Sequence, residues 1–261
     1  MPGKILVAAA TTRETADLLE LSCVKQGGGS ARDIPIRASI QSIPFYLGIT
    51  GIGSVNTASR LTRFIERVEP DLVIQAGIAG TFRDSGLGIG DVAVADREVY
   101  IHAGVENPVS SYPLDPLPFP LVEDQKETCR GVFHPDPDFS ETAQKSAETA
   151  FSDTGVKVKK GLFITVSTIT ASHETERLLY NRFAPLAESM EGAAAAQTAN
   201  LYGIPFVEIR AVSNFVGIRD KSRWNIPKAC RNACSACAAV IRAVGGPDSD
   251  VPTGNIFLYR K

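Results

Sequence analysis

Along this chain, apolar runs of β type alternate with segments of helical periodicity, and this alternation restricts the fold more than any other feature. KILVAAA (4–10), IPFYLGIT (43–50), DLVIQAGIAG (71–80), DVAVADREVYI (91–101), VKVKKGLFIT (156–165) and PFVEIRAVSN (205–214) read as strands. ETADLLELSCVKQ, SVNTASRLTRFIERV (54–68), residues 140–151, ETERLLYNRF, the Ala-rich run after Met190 and residues 227–244 read as helices. Several strands are apolar on both alternating sets of side chains, so both sheet faces must be covered. The expected class is α/β, a three-layer αβα arrangement around a mixed, largely parallel central sheet. A chain of 261 residues with 44% hydrophobic and 21% charged residues can bury one large core, so a single domain over 1–261 is expected. Gly27 to Gly29 read as a breaker, and PTGNIFLYRK as a tail or an edge contact. Residues 102–139 hold seven of the sixteen prolines and little periodicity, which predicts a long loop or lid.

Charge and cysteine usage narrow the function. A net charge of -2 and a pI near 6.0 give no basic stripe for phosphates, so no nucleic-acid partner is expected. The opening MPGKILVAAATTRE has too short an apolar run for a signal peptide, and no segment reaches the roughly 18 apolar residues of a membrane span. Five cysteines, an odd number in a chain large enough to need no staples, agree with a cytoplasmic location. Cys230, Cys234 and Cys237 fall at i, i+4 and i+7 of a helix and share one face. A metal site and a stripe of small apolar side chains both fit that spacing. With no histidine or acid close by to complete a tetrahedral set, the stripe is the preferred reading and no metal is expected.

Ligands of such sheets bind at the carboxyl ends of the strands. Three of those ends are rich in glycine: GITGIGSVN (48–56), QAGIAGT (75–81) and GLGIGD (86–91). The first lacks a P-loop lysine and has Asn56 where a dinucleotide pattern needs its third glycine. Three polar residues stand at the same edges. Glu14 follows the first strand, Glu191 opens the Ala-rich helix, and Asn214 ends the 205–214 strand. Taken singly, each has a structural explanation: a first-turn acid, a partner for a helix N-terminus capped by Ser189, and a turn amide.

Taken jointly, they resemble the purine nucleoside phosphorylase and nucleosidase superfamily, in its 5′-methylthioadenosine/S-adenosylhomocysteine nucleosidase branch. KILVAAATTRETADLL, TGIGSVNTASRLTRFIERVEPDLVIQAGIAG, GDVAVAD, KGLFI, ESMEGAA and PFVEIRAVSN follow that branch in order, and the Met-Glu pair together with R-A-[IV]-S-[DN] is the specific part. The resemblance implies that Glu14 orients and deprotonates the attacking water, and that Glu191 accepts hydrogen bonds from the ribose hydroxyls with Met190 under the sugar. It further implies that Ile78, Ala79 and Gly80, with Ile169 and Thr170, line the sugar and base. Cleaving an N-glycosidic bond builds positive charge on the sugar, and buried carboxylates favour that state. No cofactor is expected.

One departure from the resemblance is informative. Adenine-specific members carry an aspartate where this chain has Asn214. An amide cannot protonate a departing base, but its NH₂ can donate to N-7 or to a carbonyl at position six, which suits a 6-oxopurine. The phosphate-clamping motifs of bacterial phosphorylases are replaced here by ATTRETA and by Gln75-Ala76, so water is the expected nucleophile. A 6-oxopurine hydrolase of this kind resembles futalosine hydrolase, as does SNFVGIRDKSRWNIPKA. Arg219 and Arg223 are the candidates for the benzoate at the far end of futalosine. The rivals are a methylthioadenosine-type nucleosidase, an inosine/guanosine phosphorylase and a nucleoside-binding protein without turnover. Retention of a water-activating Glu14 speaks against the last. The resemblance also implies a homo-oligomer, a dimer or higher.

Overall fold

The computed structural model describes residues 3–24, 31–106, 115–123 and 128–245. Eight strands make the frame: β1 Ile5–Ala9, β2 Ile36–Ile40, β3 Ile43–Ile49, β4 Leu72–Thr81, β5 Val92–Tyr100, β6 Val158–Thr165, β7 Ala187–Ser189 and β8 Phe206–Phe215. The helices are α1 Ala16–Glu20, α2 Ser54–Val68, α3 Pro137–Phe151, α4 His173–Phe183, α5 Gly192–Leu201 and α6 Ile226–Gly245. The breaker Gly27 to Gly29, the tail 252–261 and part of the proline-rich section lie outside the described residues.

β1 lies parallel between β3 and β4, with Ile5 opposite both Phe45 and Leu72. β8 runs parallel to β4 and antiparallel to β5, β5 parallel to β6, β6 parallel to β7, and β7 antiparallel to the end of β4. The circuit β4-β8-β5-β6-β7 therefore closes on itself. The sheet is mixed, as expected, but half of it is barrel-like rather than open. Closure removes two edges and gathers the ends of β4, β7 and β8 at one rim.

Two helical layers cover the sheet. α6, α1 and α3 pack on one face against Val7, Ile74, Val94 and Ile209, with Cys234 and Cys237 in that apolar cluster. The cysteine stripe is thus core packing, and burial pushes the Cys230 thiol up to about 11 and that of Cys234 up to about 12. α2 and α5 cover the opposite face through Leu61, Phe64, Ile65, Ala195 and Ala199. Burying such side chains contributes about 1.5–3 kcal/mol each. The Phe64 ring fits because β3 has Gly48 beneath it, where a Cβ would come within 2.5 Å of the ring.

Local departures from the expected elements have identifiable causes. The first helix is short: a 3-10 turn over Thr12–Thr15 leads into α1, and Cys23–Val24 leaves the helical pattern to pair with β2. Tertiary pairing overrides helical periodicity there, since Leu18 is the sole fully covered apolar anchor of α1. β2 itself escapes the sequence reading because its hairpin to β3 turns on Gln41-Ser42, both at positive φ, rather than on the usual Asn-Gly. β7 is too short, at three residues, to show periodicity. α3 starts at Pro137, inside the expected loop. Asp136 caps it by accepting from the N–H groups of Asp138 and Phe139, and Pro137 sits where no N–H is needed. The described parts of 102–139 form short strand pairs, with Val132–Phe133 lying against β5.

Candidate active site

The loop leaving β1 places Glu14. Thr11 caps the 3-10 turn, and in the reciprocal half of that capping box Glu14 Oε2 accepts from the Thr11 N–H at 2.9 Å and the Thr11 hydroxyl at 2.7 Å. Its other oxygen accepts from the Ile78 N–H at 3.1 Å. Glu14 is only 8% exposed. Burial raises its pKa above the ordinary carboxylate value, against the lowering effects of Thr11, Arg210 and Ile78. Gly77 makes this approach possible, because a Cβ there would stand 2.6 Å from Glu14 Oε1 and 2.9 Å from Arg210 Nη1.

Glu191 is held by a different helix from the one the sequence pointed to. It occupies the N-cap of α5 without capping it, and Ser189 does not serve as that cap. Glu191 Oε1 instead accepts from Gly53 N–H, the N-cap of α2, at 2.9 Å, and Oε2 accepts from Arg210 Nη1 at 3.3 Å. The positive end of α2 and a guanidinium thus both face this carboxylate. Met190 is anchored through its carbonyl, which accepts from the Ser54 hydroxyl, and its side chain packs against the Phe82–Val166 cluster.

Arg210 joins these groups. It is 1% exposed, donates from Nε to Glu208 Oε1 at 2.8 Å, and contacts the Ile78 carbonyl at 3.3 Å as well as Glu191. Burial alone would lower its pKa, but Glu208, Glu191 and Glu14 outweigh burial and raise it above the ordinary arginine value.

At the end of β8 a bulge at Ser213 shifts the register, so that Val212 faces Ala79 and Asn214 faces Gly80. Ser213 donates to the Ala79 carbonyl or to Asn214 Oδ1, at 3.1 and 2.7 Å. Asn214 Nδ2 donates to the Phe215 carbonyl at 3.1 Å. A carbonyl can only accept, so the amide nitrogen must face it, and the second N–H is left for another acceptor. Gly80 leaves the space beside this amide, with Nδ2 3.3 Å from where a Cβ would sit.

Ile78, Ala79 and Gly80 thereby touch Glu14, Arg210, Ser213 and Asn214, and the structure brings these predicted residues together along one strand. Thr170 joins the same rim. Its N–H donates to Glu188 Oε1 and its carbonyl accepts from Gly217, three residues beyond Asn214. Ile169 beside it is 42% exposed, an apolar side chain free to meet a ligand. Arg219 stacks its guanidinium 5.0 Å from the Trp224 ring centre; burial raises the nearby Glu188 pKa, against the lowering effects of Thr170 and, least, of the Arg219 charge. Arg223 lies in the exposed turn Lys221–Arg223. A cavity of about 470 Å³ beside α4, lined by Arg83, His173, Glu176 and Tyr180 among others, includes none of the cleft residues.

Sequence reasoning missed Arg210, Glu208 and Gly53. The signal was present: E-x-R inside an otherwise apolar strand puts two opposite charges on one face of a buried element.

The family model described as Phosphorylase superfamily matches residues 4–244. The 5′-methylthioadenosine/S-adenosylhomocysteine nucleosidase of Chromohalobacter salexigens is 31% identical over 75% of this chain and 78% of its own length. The futalosine hydrolase of Acidothermus cellulolyticus is 32% identical over 74% of this chain and 73% of its own. Among solved structures, a 5′-methylthioadenosine/S-adenosylhomocysteine nucleosidase from S. pneumoniae with a transition-state inhibitor superimposes with a TM-score of 0.71. It is 25% identical and covers 92% of this chain and 99% of its own. No helix among the described residues is long and apolar enough to cross a membrane. With the family model matching residues 4–244 and relatives of these two kinds over most of its length, the chain belongs to the Phosphorylase superfamily, in the branch of these nucleosidases.

Proposed function

We propose that the protein hydrolyses the N-glycosidic bond of a 6-oxopurine nucleoside, and that its substrate is futalosine, from which it releases hypoxanthine. The observation that carries this reading is Asn214, whose amide nitrogen is turned to donate by the Phe215 carbonyl. A donor at that place complements N-7 or O-6 of hypoxanthine. It offers no proton to transfer to adenine. A 6-oxopurine also departs more readily as an anion, because charge spreads onto its oxygen, so a neutral amide suffices.

Glu14 takes the proton of the attacking water. Its burial supports that role, since a carboxyl whose pKa is raised, by burial first of all, is a stronger base than an ordinary carboxylate. Glu191, neutralised from behind by Arg210 and by the α2 N-terminus, accepts the ribose hydroxyls. Together the two carboxylates favour the cationic sugar of the transition state. Arg219, already held against Trp224, is the candidate for the benzoate of futalosine, and Arg223 would have to swing inward to take part. A homo-oligomer whose partner closes the 5′ end of the cleft belongs to the same proposal.

The second reading is a methylthioadenosine-type nucleosidase, favoured by relatives of that name. Base release from futalosine, inosine and methylthioadenosine, with and without phosphate, separates them. Hypoxanthine released from futalosine without phosphate is the expected result. Faster release of adenine from methylthioadenosine sinks the proposal, and a requirement for phosphate turns it into a phosphorylase.

A further inference from the structure

Behind the cleft, two carboxyl groups lie where the chemistry does not call for them. Glu98 on β5 and Glu208 on β8 are fully buried beneath the start of α5. Gly192 roofs both: a Cβ there would stand 2.5 Å from Glu208 Oε2 and 2.7 Å from the Glu98 carboxyl carbon. Glu208 Oε1 accepts from Arg210 Nε at 2.8 Å. Glu98 Oε1 accepts from the Thr165 hydroxyl, whose oxygen in turn receives the Ala193 N–H at 2.7 Å, so its hydrogen is free to point at Glu98. The second oxygen of each acid has no hydrogen-bond partner, yet the two carboxyl groups crowd one point, each reaching within 2.7 Å of where a Gly192 Cβ would sit.

Two acceptors in contact require a proton between them. The acid bonded to the guanidinium is the one that gains from being ionised, which leaves the proton on Glu98. The charge balance agrees. Glu208, Glu191 and Glu14 already act on Arg210, and a neutral Glu98 removes its repulsion with Glu208. Burial first, and Glu208 second, hold the Glu98 carboxyl well above the usual range.

We propose that Glu208 is a positioning residue for the nucleosidase cleft, fixing the plane of Arg210 through Nε so that Nη1 meets Glu191 and the Ile78 carbonyl, and that Glu98 is its neutral, proton-bearing partner. The proposal rests on the cleft being a nucleosidase site and not on which purine leaves. With Glu208 ionised, Arg210 is partly spent from behind and leaves Glu14 basic. Without that charge, Arg210 favours the ionised form of Glu14 more strongly. The acid limb of the pH profile then moves down and Glu14 becomes a weaker base.

The test uses the full chain with E208Q and E98Q, following base release from the best substrate against pH, with infrared spectra of the free proteins at neutral pH. E208Q is expected to lower kcat by about 10- to 100-fold with KM nearly unchanged, and to shift the acid limb downward. E98Q, which keeps a neutral donor against Glu208, is expected to leave the acid limb where the unaltered protein has it. The infrared band of a protonated buried carboxyl is expected in the unaltered protein and absent from E98Q. An E208Q profile superimposable on that of the unaltered protein overturns the positioning role, and so does an acid limb displaced equally by E98Q. A protonated-carboxyl band that E98Q leaves intact overturns the shared proton. This last readout needs neither turnover nor a folded E208Q, so it stands apart from any failure of the substrate assignment.

Discussion

The two faces of the central sheet are covered by helices of similar smallness in side chain, and they are put to different uses. Under α6, alanines and cysteines meet Val7, Ile74, Val94 and Ile209, and the interface is apolar. Under the first turn of α5, Gly192 meets Glu98 and Glu208, the latter bonded to Arg210, and the Ala193 N–H meets the Thr165 hydroxyl that serves Glu98. In both places small side chains let a helix approach the sheet closely. On the α6 side this closeness serves packing. On the α5 side it excludes water from charges, which strengthens their mutual attraction and makes any unpaired one costly. The contrast teaches that an alanine-rich helix does not reveal what it covers. The strand beneath it does.

Four substitutions would break or sharpen that contrast. Glu14→Gln is expected to lower turnover by about 100- to 10,000-fold, the range of a lost general base, with ligand affinity measured by calorimetry little changed. On the apolar face, Ile74→Ala should cost about 2–5 kcal/mol in denaturant unfolding and leave the pH profile of the remaining activity where it was. Gly192→Ala adds a methyl against Glu208 and Glu98 and is expected to cost about 1–3 kcal/mol, accompanied by a fall in turnover that Ile74→Ala does not show.

The smallest effect concerns pH. Glu98 is raised in the folded protein above its ordinary 4.5, so the folded state holds a proton that the unfolded chain gives up above that pH. Its contribution to stability is full below 4.5 and is lost as pH rises toward the folded value. Glu98→Gln should therefore flatten the loss of thermal stability on the alkaline side. A Tm that falls with pH equally in both proteins would remove this account.

Several elements were legible in the chain because they are long and apolar or strongly periodic. β1, β4 and α2 fall within a residue or two of where the pattern places them. The β2 strand was hidden by a Gln-Ser turn, and α1 was shortened by strand pairing at Cys23–Val24. Among the site residues, Glu14, Glu191 and Asn214 stood out as polar groups at strand ends. Arg210 did not, because it lies mid-strand, where its charge reads as an anomaly until its three acidic neighbours are in place.

What the sequence determined by itself is the alternation of strand and helix, the covered faces of the sheet, and the chemical types offered at its rim. Those depend on local period and on the identity of single side chains. Only the tertiary structure decided that the sheet closes between β4 and β7, that α2 rather than α5 supplies the N–H for Glu191, and that three acids share one arginine. Each of these brings together residues far apart in the chain, whose pairing is set by packing and charge balance in a buried space and leaves no periodic trace in the order of residues.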